Sequence, residues 1–203
     1  MTDRSTALRT LIGAALLAVA LNGCATAPAP GFYTLATVPP TIATQPPTAM
    51  TTPSLIAVGP VTLADYLDRR PIVTRDTAFA VRIAGNDYWA APLQDMVPRV
   101  LVADLATRLP GDRIDNFPDA AGTAGDYRIA IDISRFDVDA SGLATLNARW
   151  RLYGRQSPQP LLVGDETLQR QADAAGYAGG AAALSATLGD LGDRLAQAVT
   201  AVH

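Results

Sequence analysis

The hydrophobic pattern of the chain is clearest near its C-terminus, where apolar residues recur at steps of three and four. This spacing predicts one long amphipathic helix whose apolar stripe consists of Tyr177, Ala181, Leu184, Leu188, Leu191, Leu195, Val199 and Val202. A second helix is predicted over 90–109, with an apolar side made of Leu93, Val97, Val100, Leu101, Leu105 and Leu109. Pro98 lies inside this pattern, so we expect a kink or a break there, because proline lacks the amide hydrogen that a helix interior needs.

The strand signals are short apolar runs and alternations of apolar with polar residues. They predict short strands at 55–58, 72–75 and 79–83, a turn at Gly85-Asn86-Asp87, and longer antiparallel strands at 126–137, 143–153 and 161–171. Asp139-Ala140-Ser141-Gly142 is the predicted hairpin turn between the first two long strands. Together these elements predict an α/β (α+β) sandwich, in which the two main helices pack on a mixed, mostly antiparallel sheet. We expect it to form a single domain over 54–203.

The N-terminus has the pattern of a secretory signal, which we predict over 1–23. Arg4 and Arg9 precede an apolar run from Leu11 to Leu21. As a helix this run would measure about 16 Å, against roughly 30 Å for the hydrocarbon core of a bilayer. It is therefore too short to span a membrane.

The residues at the end of this run, Leu21-Asn22-Gly23-Cys24, resemble the bacterial lipobox, in which the chain is cut before a lipidated cysteine. Cys24 is therefore the predicted site of lipid attachment, and the alternative is a buried free cysteine or an ordinary signal-peptide cysteine. Two or three acyl chains would hold the protein on a membrane far more firmly than one. Ala25 stands where an Asp would suggest retention in the inner membrane, so we expect a lipid anchor in the outer membrane that faces the periplasm.

Between this cysteine and the predicted domain, residues 24–53 are rich in Ala, Thr and Pro, a composition that favours extended, semi-rigid chain. We call this stretch the tether. It contains one β-prone island, at 31–35, which we expect to add to the sheet or to lie on the domain surface.

Charge and residue types exclude several functions. The whole chain has a net charge of −3, and removal of the signal, which holds Arg4, Arg9 and Asp3, leaves −4. A mildly acidic protein without a basic cluster is a poor candidate for nucleic-acid binding. The chain has one cysteine and one histidine, His203, so the residues predict neither a disulfide nor a zinc site, and a Ser–His–Asp or Cys–His site would have to use His203 as its base. We therefore expect no catalytic residue, no cofactor and no metal.

The aromatic residues divide into core and loop positions. Trp150 lies on the apolar face of a predicted strand and is expected in the core, whereas Tyr66 and Trp89 lie near predicted turns. Exposed aromatics and arginines are enriched at protein interfaces. An equally good interpretation is that these side chains hold their loops onto the domain.

The stretch from Ile56 to Arg75 resembles the PqiC (YmbA) family, the auxiliary lipoproteins of ABC-type MCE transport systems. The most specific matches are Gly59-Pro60-Val61, Tyr66-Leu67-Asp68-Arg69 and Ile72-Val73-Thr74-Arg75. Further matches cover most of the chain after the signal, namely Phe32–Leu35, Tyr88–Leu93, Arg99–Leu101, Leu105, Tyr127–Phe136 and Leu146–Trp150. Arg70, Tyr88 and Pro98 depart from the family pattern.

This resemblance implies a docking component without catalysis. Its partners would be an MCE-domain protein (PqiB-like), further copies of the chain in a homo-oligomeric ring, and the outer membrane. The expected role is lipid transport across the periplasm and membrane integrity. The contact candidates are Tyr66, Leu67, Asp68, Arg69, Pro71, Val73, Arg75 and Trp89. A second hypothesis is a periplasmic carrier that binds a phospholipid acyl chain between the sheet and the C-terminal helix, and a third, an envelope hydrolase, has no supporting residue.

Overall fold

Eight strands form one mixed sheet in the computed structural model, which describes residues 29–40, 53–118, 125–155 and 157–202. The strands are β1 Gly31–Tyr33, β2 Leu55–Leu63, β3 Pro71–Thr77, β4 Ala80–Trp89, β5 Arg113–Asn116, β6 Tyr127–Asp139, β7 Leu143–Gly154 and β8 Pro160–Gln171. The helices of these ranges are α1 Leu93–Arg108 and α2 Gly176–Thr200, with a one-turn 3-10 helix at Asp65–Leu67. The predicted fold class, a mixed sheet with two packed helices, is confirmed.

Strand β6 is the centre of this sheet. β7 pairs antiparallel along one edge of β6, while on the other edge β2 pairs parallel with its first half and β3 with its last residues. β5 extends the sheet beyond β2, β4 and then β1 extend it beyond β3, and β8 lies beyond β7. The β3–β4 pairing and the long β6–β7 and β7–β8 pairings are antiparallel, whereas β1–β4, β2–β5, β2–β6 and β3–β6 are parallel.

The core lies between the sheet and the two helices, which contact each other. α1 packs against β2 and β5, and α2 packs against β6, β7 and β8. The alternating residues Ile129, Ile131 and Ile133 of β6 are completely or almost completely buried there, and each such side chain contributes about 1.5–3 kcal/mol of hydrophobic stabilisation. Trp150 is in the core as predicted, opposite Gly164, where any side chain would clash with the indole ring.

The structure corrects two local predictions and adds one strand that the sequence did not predict. α1 continues through Pro98, so the alternative of a break there is wrong. Gly85-Asn86-Asp87 is not a turn but part of β4, because β1 pairs with the end of this strand and keeps it extended. The turn instead lies at residues 78–79. β5 was not predicted, because four residues with one clear apolar position carry no detectable period.

Candidate functional site

The predicted contact stretch from Tyr66 to Arg75 crosses a gap in the sheet. β2 ends at Leu63 and β3 begins at Pro71, and both lie against the same edge of β6. The intervening residues cover the middle of β6, where its pairing with β7 has an irregularity between Ile133 and Arg135. Leu67, only 2% exposed, anchors this loop in the core. We call residues 64–70 the crossing loop.

Below the crossing loop lies a completely buried carboxylate, Asp137 of β6. Its Oδ2 accepts a hydrogen bond from the Tyr66 hydroxyl at 2.8 Å and another from Arg75 Nη2 at 2.6 Å. Its Oδ1 accepts from Arg135 Nε at 2.9 Å. The Arg75 guanidinium also lies over the Tyr66 ring, 5.4 Å from its centre, within the range of a cation–π contact.

This arrangement compensates for the burial of a charge. An ionised carboxylate is tolerated inside a protein when partners of opposite charge and hydrogen-bond donors surround it, as both oxygens of Asp137 have here. Burial, together with the hydrogen bond to Asp137, raises the pKa of Tyr66, and the hydrogen bond to Asp137 raises the pKa of Arg75. The tyrosine therefore stays a donor and the arginine stays charged at physiological pH.

The eight contact candidates are thus divided between core and surface. Leu67, Val73 and Trp89 are buried within the subunit, so their side chains are not at its surface. Tyr66, Pro71 and Arg75 are partly exposed, and Asp68 and Arg69 are exposed. The hydrogen bond of the Tyr66 hydroxyl to Asp137 agrees with the interpretation that Tyr66 holds its loop onto the domain, and the residue is still partly exposed.

An apolar surface beside the crossing loop was not recognised from the sequence. Arg75 pairs across the β3–β4 hairpin with Val81, and Val73 pairs with Ile83, so these four side chains share one face of the hairpin. Val81 and Ile83 are 40% and 48% exposed, and Phe79 at the turn is completely exposed. We call the surface made by Tyr66, Arg75, Phe79, Val81 and Ile83 the hairpin face. The alternation at 79–83 indicated a strand, but only the sheet shows that its apolar side is left uncovered.

A cavity of about 610 Å³ lies next to β3, between the sheet, the β6–β7 turn and the start of α2. Its apolar walls include Ile72, Trp89, Val138, Tyr177, Ala181 and Leu184. Arg82, which forms an ion pair with Asp76 at 3.0 Å, lies at its border. The size of the cavity is within the range of small-molecule sites, which are mostly apolar with a few polar groups.

The described residues offer no metal site, since no group of three or more His, Cys, Asp or Glu side chains among them could hold an ion. Asp139 accepts hydrogen bonds from the Ser141 and Leu143 amides within the turn between β6 and β7. In the same part of the chain, no helix is long and apolar enough to cross a membrane. The predicted signal, 1–23, and Cys24 lie outside the described residues.

A sequence model of the family described as "ABC-type transport auxiliary lipoprotein component" matches residues 33–196. The chain is also similar to the intermembrane transport lipoprotein PqiC of Escherichia coli (strain K12), with 32% identity over 98 residues, and equally to PqiC of Shigella flexneri. Each match covers 48% of this chain and 51% of the relative, so the chain spans about half the length of these relatives.

Two solved structures share the fold. A crystal structure of an uncharacterized protein superposes with a TM-score of 0.69 at 20% identity, covering 85% of this chain and 99% of that one. Protein XCC0632 from Xanthomonas campestris superposes with a TM-score of 0.66 at 20% identity, covering 81% and 91%. At this identity the likeness establishes the architecture and not the function.

Proposed function

Because the chain belongs to the family of ABC-type transport auxiliary lipoproteins, we propose that it is an outer-membrane-anchored subunit of an MCE-type, PqiABC-like system. In this role it docks on an MCE-domain protein (PqiB-like) and supports lipid transport across the periplasm and membrane integrity, without catalysis of its own. The anchor is a lipid on Cys24. The family match over 33–196 and the similarity to an intermembrane transport lipoprotein support this proposal.

The structural observation that carries the docking role is the hairpin face. Large apolar side chains are seldom left exposed next to one another unless another molecule covers them. Here Phe79, Val81 and Ile83 are exposed beside an arginine and a tyrosine, two residue types that often dominate binding energy. Because Asp137 holds Arg75 and Tyr66 in place, this surface is ordered before a partner arrives, which reduces the entropy cost of binding.

Docking is tested by pull-down of the MCE-domain partner with the full-length lipoprotein in detergent. The variant Phe79→Asp/Val81→Asp places two charges in the hairpin face, and we expect at least a tenfold loss of binding. The matched control is Leu161→Asp/Val163→Asp on β8, whose apolar side chains are 49% and 61% exposed at the opposite edge of the sheet. If the hairpin-face variant binds the partner as well as the β8 variant does, the partner docks elsewhere.

The ring and the anchor have separate tests. Light scattering on the detergent-solubilised lipoprotein should give a mass of several subunits, and a strict monomer that also fails to bind the partner would contradict the docking role. For the anchor, globomycin treatment or Cys24→Ser should leave the precursor uncleaved, as seen by mass spectrometry. An unchanged mature mass under both conditions would exclude lipidation at Cys24.

The second candidate function, a carrier of a phospholipid acyl chain, is favoured by the cavity between the sheet and α2. Native mass spectrometry after gentle extraction should then show lipid in stoichiometric amount. Ala175→Trp would obstruct the cavity, because Ala175 lines it and is exposed. Ala178→Trp is the control, since Ala178 is exposed in the first turn of α2 but lies outside the lining. Lipid retained equally by both variants, or absent from the wild type, would exclude the carrier.

A further inference from the structure

The second half of the described N-terminal segment, Thr34–Pro40, lies against both helices. The Ala36 amide donates to Ser185 Oγ on α2 at 3.1 Å, and the Val38 amide donates to Asp104 Oδ1 on α1 at 3.0 Å. The Val38 carbonyl accepts from Arg108 Nη1 at 3.2 Å. Side chains of the helices therefore bind backbone groups of this segment at alternate residues. The same spacing of main-chain hydrogen bonds holds an extended peptide on the edge of a sheet.

The side chains that hold Val38 are themselves buried. Asp104 and Arg108, one helical turn apart, are 0% and 3% exposed. Arg108 Nε donates to Asp193 Oδ1 at 2.6 Å, and its Nη2 donates to the Gly189 carbonyl at 2.9 Å. A buried ionic cluster is seldom the most stable way to pack two helices, because apolar residues would avoid the cost of desolvation. The hydrogen bonds to Val38 explain why this cluster is polar, since its side chains bind the backbone of the N-terminal segment.

Two glycines of α2 make room for this contact. A Cβ at Gly189 would lie 3.2 Å from the Val38 Cβ and 3.4 Å from Arg108 Nη2. A Cβ at Gly192 would lie 3.3 Å from Arg108 Nε and 3.4 Å from the Asp104 Cβ. The helix surface is thus shaped both for the segment and for the residues that bind it.

We propose that Asp104 and Arg108 form a clamp on the Val38 backbone that makes residues 31–40 part of the folded body and so sets the reach of the membrane anchor. This inference rests on the proposed lipid anchor at Cys24. β1 is a three-residue edge strand, shorter than strands usually are, and it is held on the body by Leu35 in the core, by the hydrogen bond of the Tyr33 hydroxyl to Asp87, and by the clamp that follows it. With the clamp closed, the six residues 25–30 connect the lipid to the body, a span of about 20 Å at most. If β1 detaches from β4 when the clamp opens, the 29 residues 25–53 could extend to about 100 Å.

A disulfide measures the clamp directly. In the full-length lipoprotein carrying Val38→Cys and Gly189→Cys, the two Cβ atoms are close to the separation of about 3.5–4.5 Å that a disulfide requires. We expect this disulfide to form spontaneously on oxidation, as detected by mass spectrometry with and without reductant. The control pair is Thr37→Cys with Gly189→Cys, because Thr37 is exposed and neighbours the clamped residue. Equal rates for the two pairs would overturn the proposal.

Removal of the clamp's acceptor should slow this reaction. In the Val38→Cys/Gly189→Cys background, Asp104→Ala should lower the rate at least tenfold, whereas Asp104→Asn, which keeps an acceptor for the Val38 amide, should restore most of it. If Asp104→Ala does not fold, Ser185→Ala tests the same segment, since hydrogen exchange at the Ala36 amide should become at least tenfold faster. Thr200→Ala is its control, because that hydroxyl bonds only within its own helix. An unchanged rate in the folded variants would overturn the clamp.

The reach is measured by energy transfer between a dye on the domain and an acceptor lipid in vesicles that carry the lipidated protein. Asp104→Ala should increase the distance between domain and membrane, and the Val38–Gly189 disulfide should return it to the wild-type value. If the disulfide result shows that the clamp is closed in the wild type, but Asp104→Ala leaves the distance between domain and membrane unchanged, the clamp does not set the reach of the anchor. If Cys24 carries no lipid, the proposed anchor and the reach both fail, while the disulfide result still reports on the clamp alone.

Discussion

Asp137 and Asp104 are both completely buried, and they differ in how their oxygens are bonded. Asp137 has donors on both oxygens, from Tyr66, Arg75 and Arg135. Within the described part of the chain, Asp104 Oδ2 has no hydrogen-bond partner. Burial raises the Asp104 pKa to about 6, although the Val38 amide and Arg108 both act to lower it.

The comparison shows that a buried carboxylate holds a segment most firmly when every oxygen has a donor. At Asp137 three donors come from the crossing loop, β3 and β6, so the loop is fixed to two strands at once. At Asp104 one donor comes from the segment that is held and a charged partner from the same helix. Because the bare oxygen remains desolvated, we expect this second contact to be weaker and easier to open.

The comparison of the two carboxylates is tested first at Asp137, where we expect the largest loss of stability, from Asp137→Ala. The change leaves Arg75 and Arg135 without their acceptor, and we expect a loss of about 3 kcal/mol in the free energy of unfolding. The value is at the low end for a buried pair, because these arginine side chains are 20% and 31% exposed. Urea unfolding followed by circular dichroism measures it.

The control for this prediction is Asp165→Ala, which removes an exposed ion pair with Arg149 and should cost less than about 1 kcal/mol. If Asp137→Ala costs no more than this control, the crossing loop does not depend on the buried carboxylate.

A smaller effect is expected at Asp104, and it should depend on pH. Its pKa is higher in the folded protein than the ordinary value of 3.8, so its contribution to stability is fully present below about pH 4 and is lost as the pH rises through 6. The charged groups that face it are Arg108 on its own helix and Asp193 on α2. Relative to Asp104→Asn, which does not titrate, the wild type should lose about 2 kcal/mol of unfolding free energy between pH 4 and 7.5.

This difference is measured by urea unfolding of both proteins over that pH range. A constant difference would mean that Asp104 titrates near its ordinary value and that burial does not raise its pKa in the folded protein. An opposite slope would mean that Arg108 outweighs the burial of the carboxylate.

The smallest of these effects is expected from Tyr66→Phe, which removes one of the three donors to Asp137 and keeps the aromatic ring under Arg75. The loss should be about 1 kcal/mol, the usual contribution of one hydrogen bond, because Arg75 still bonds the same oxygen. Thermal unfolding measures it, with Tyr88→Phe as the control, since the Tyr88 hydroxyl makes an exposed bond to Gly85. Identical melting temperatures for the two variants would show that the Tyr66 hydroxyl adds nothing.

Much of the fold could be predicted because its long elements carry strong periods. The stripe of α2 and the alternation of β6 and β7 placed these elements within two residues of their observed ends. Short elements could not be predicted in this way, since β5 has four residues and the end of β4 depends on its pairing with β1.

The candidate site was predicted only in part. The stretch from Tyr66 to Arg75 was singled out by its resemblance to a family, and the structure places it over the middle of the sheet. The role of Asp137 as the acceptor for Tyr66 and Arg75 was missed, because in the sequence it is one of eighteen aspartates and only its position below Tyr66 distinguishes it. The exposure of Phe79, Val81 and Ile83 was also missed, because only the packing of the sheet shows which side of the hairpin is left uncovered.

By itself, the sequence determined the two helices, the long strands and the family, since periodicity and motifs are properties of neighbouring residues. The tertiary structure alone decided that Asp137 holds the crossing loop, that Asp104 and Arg108 hold Val38, and that one hairpin face stays uncovered. The physical reason is that burial and hydrogen bonding join residues far apart in the chain, such as Val38 and Asp104, which are 66 positions apart. No local pattern records such a contact.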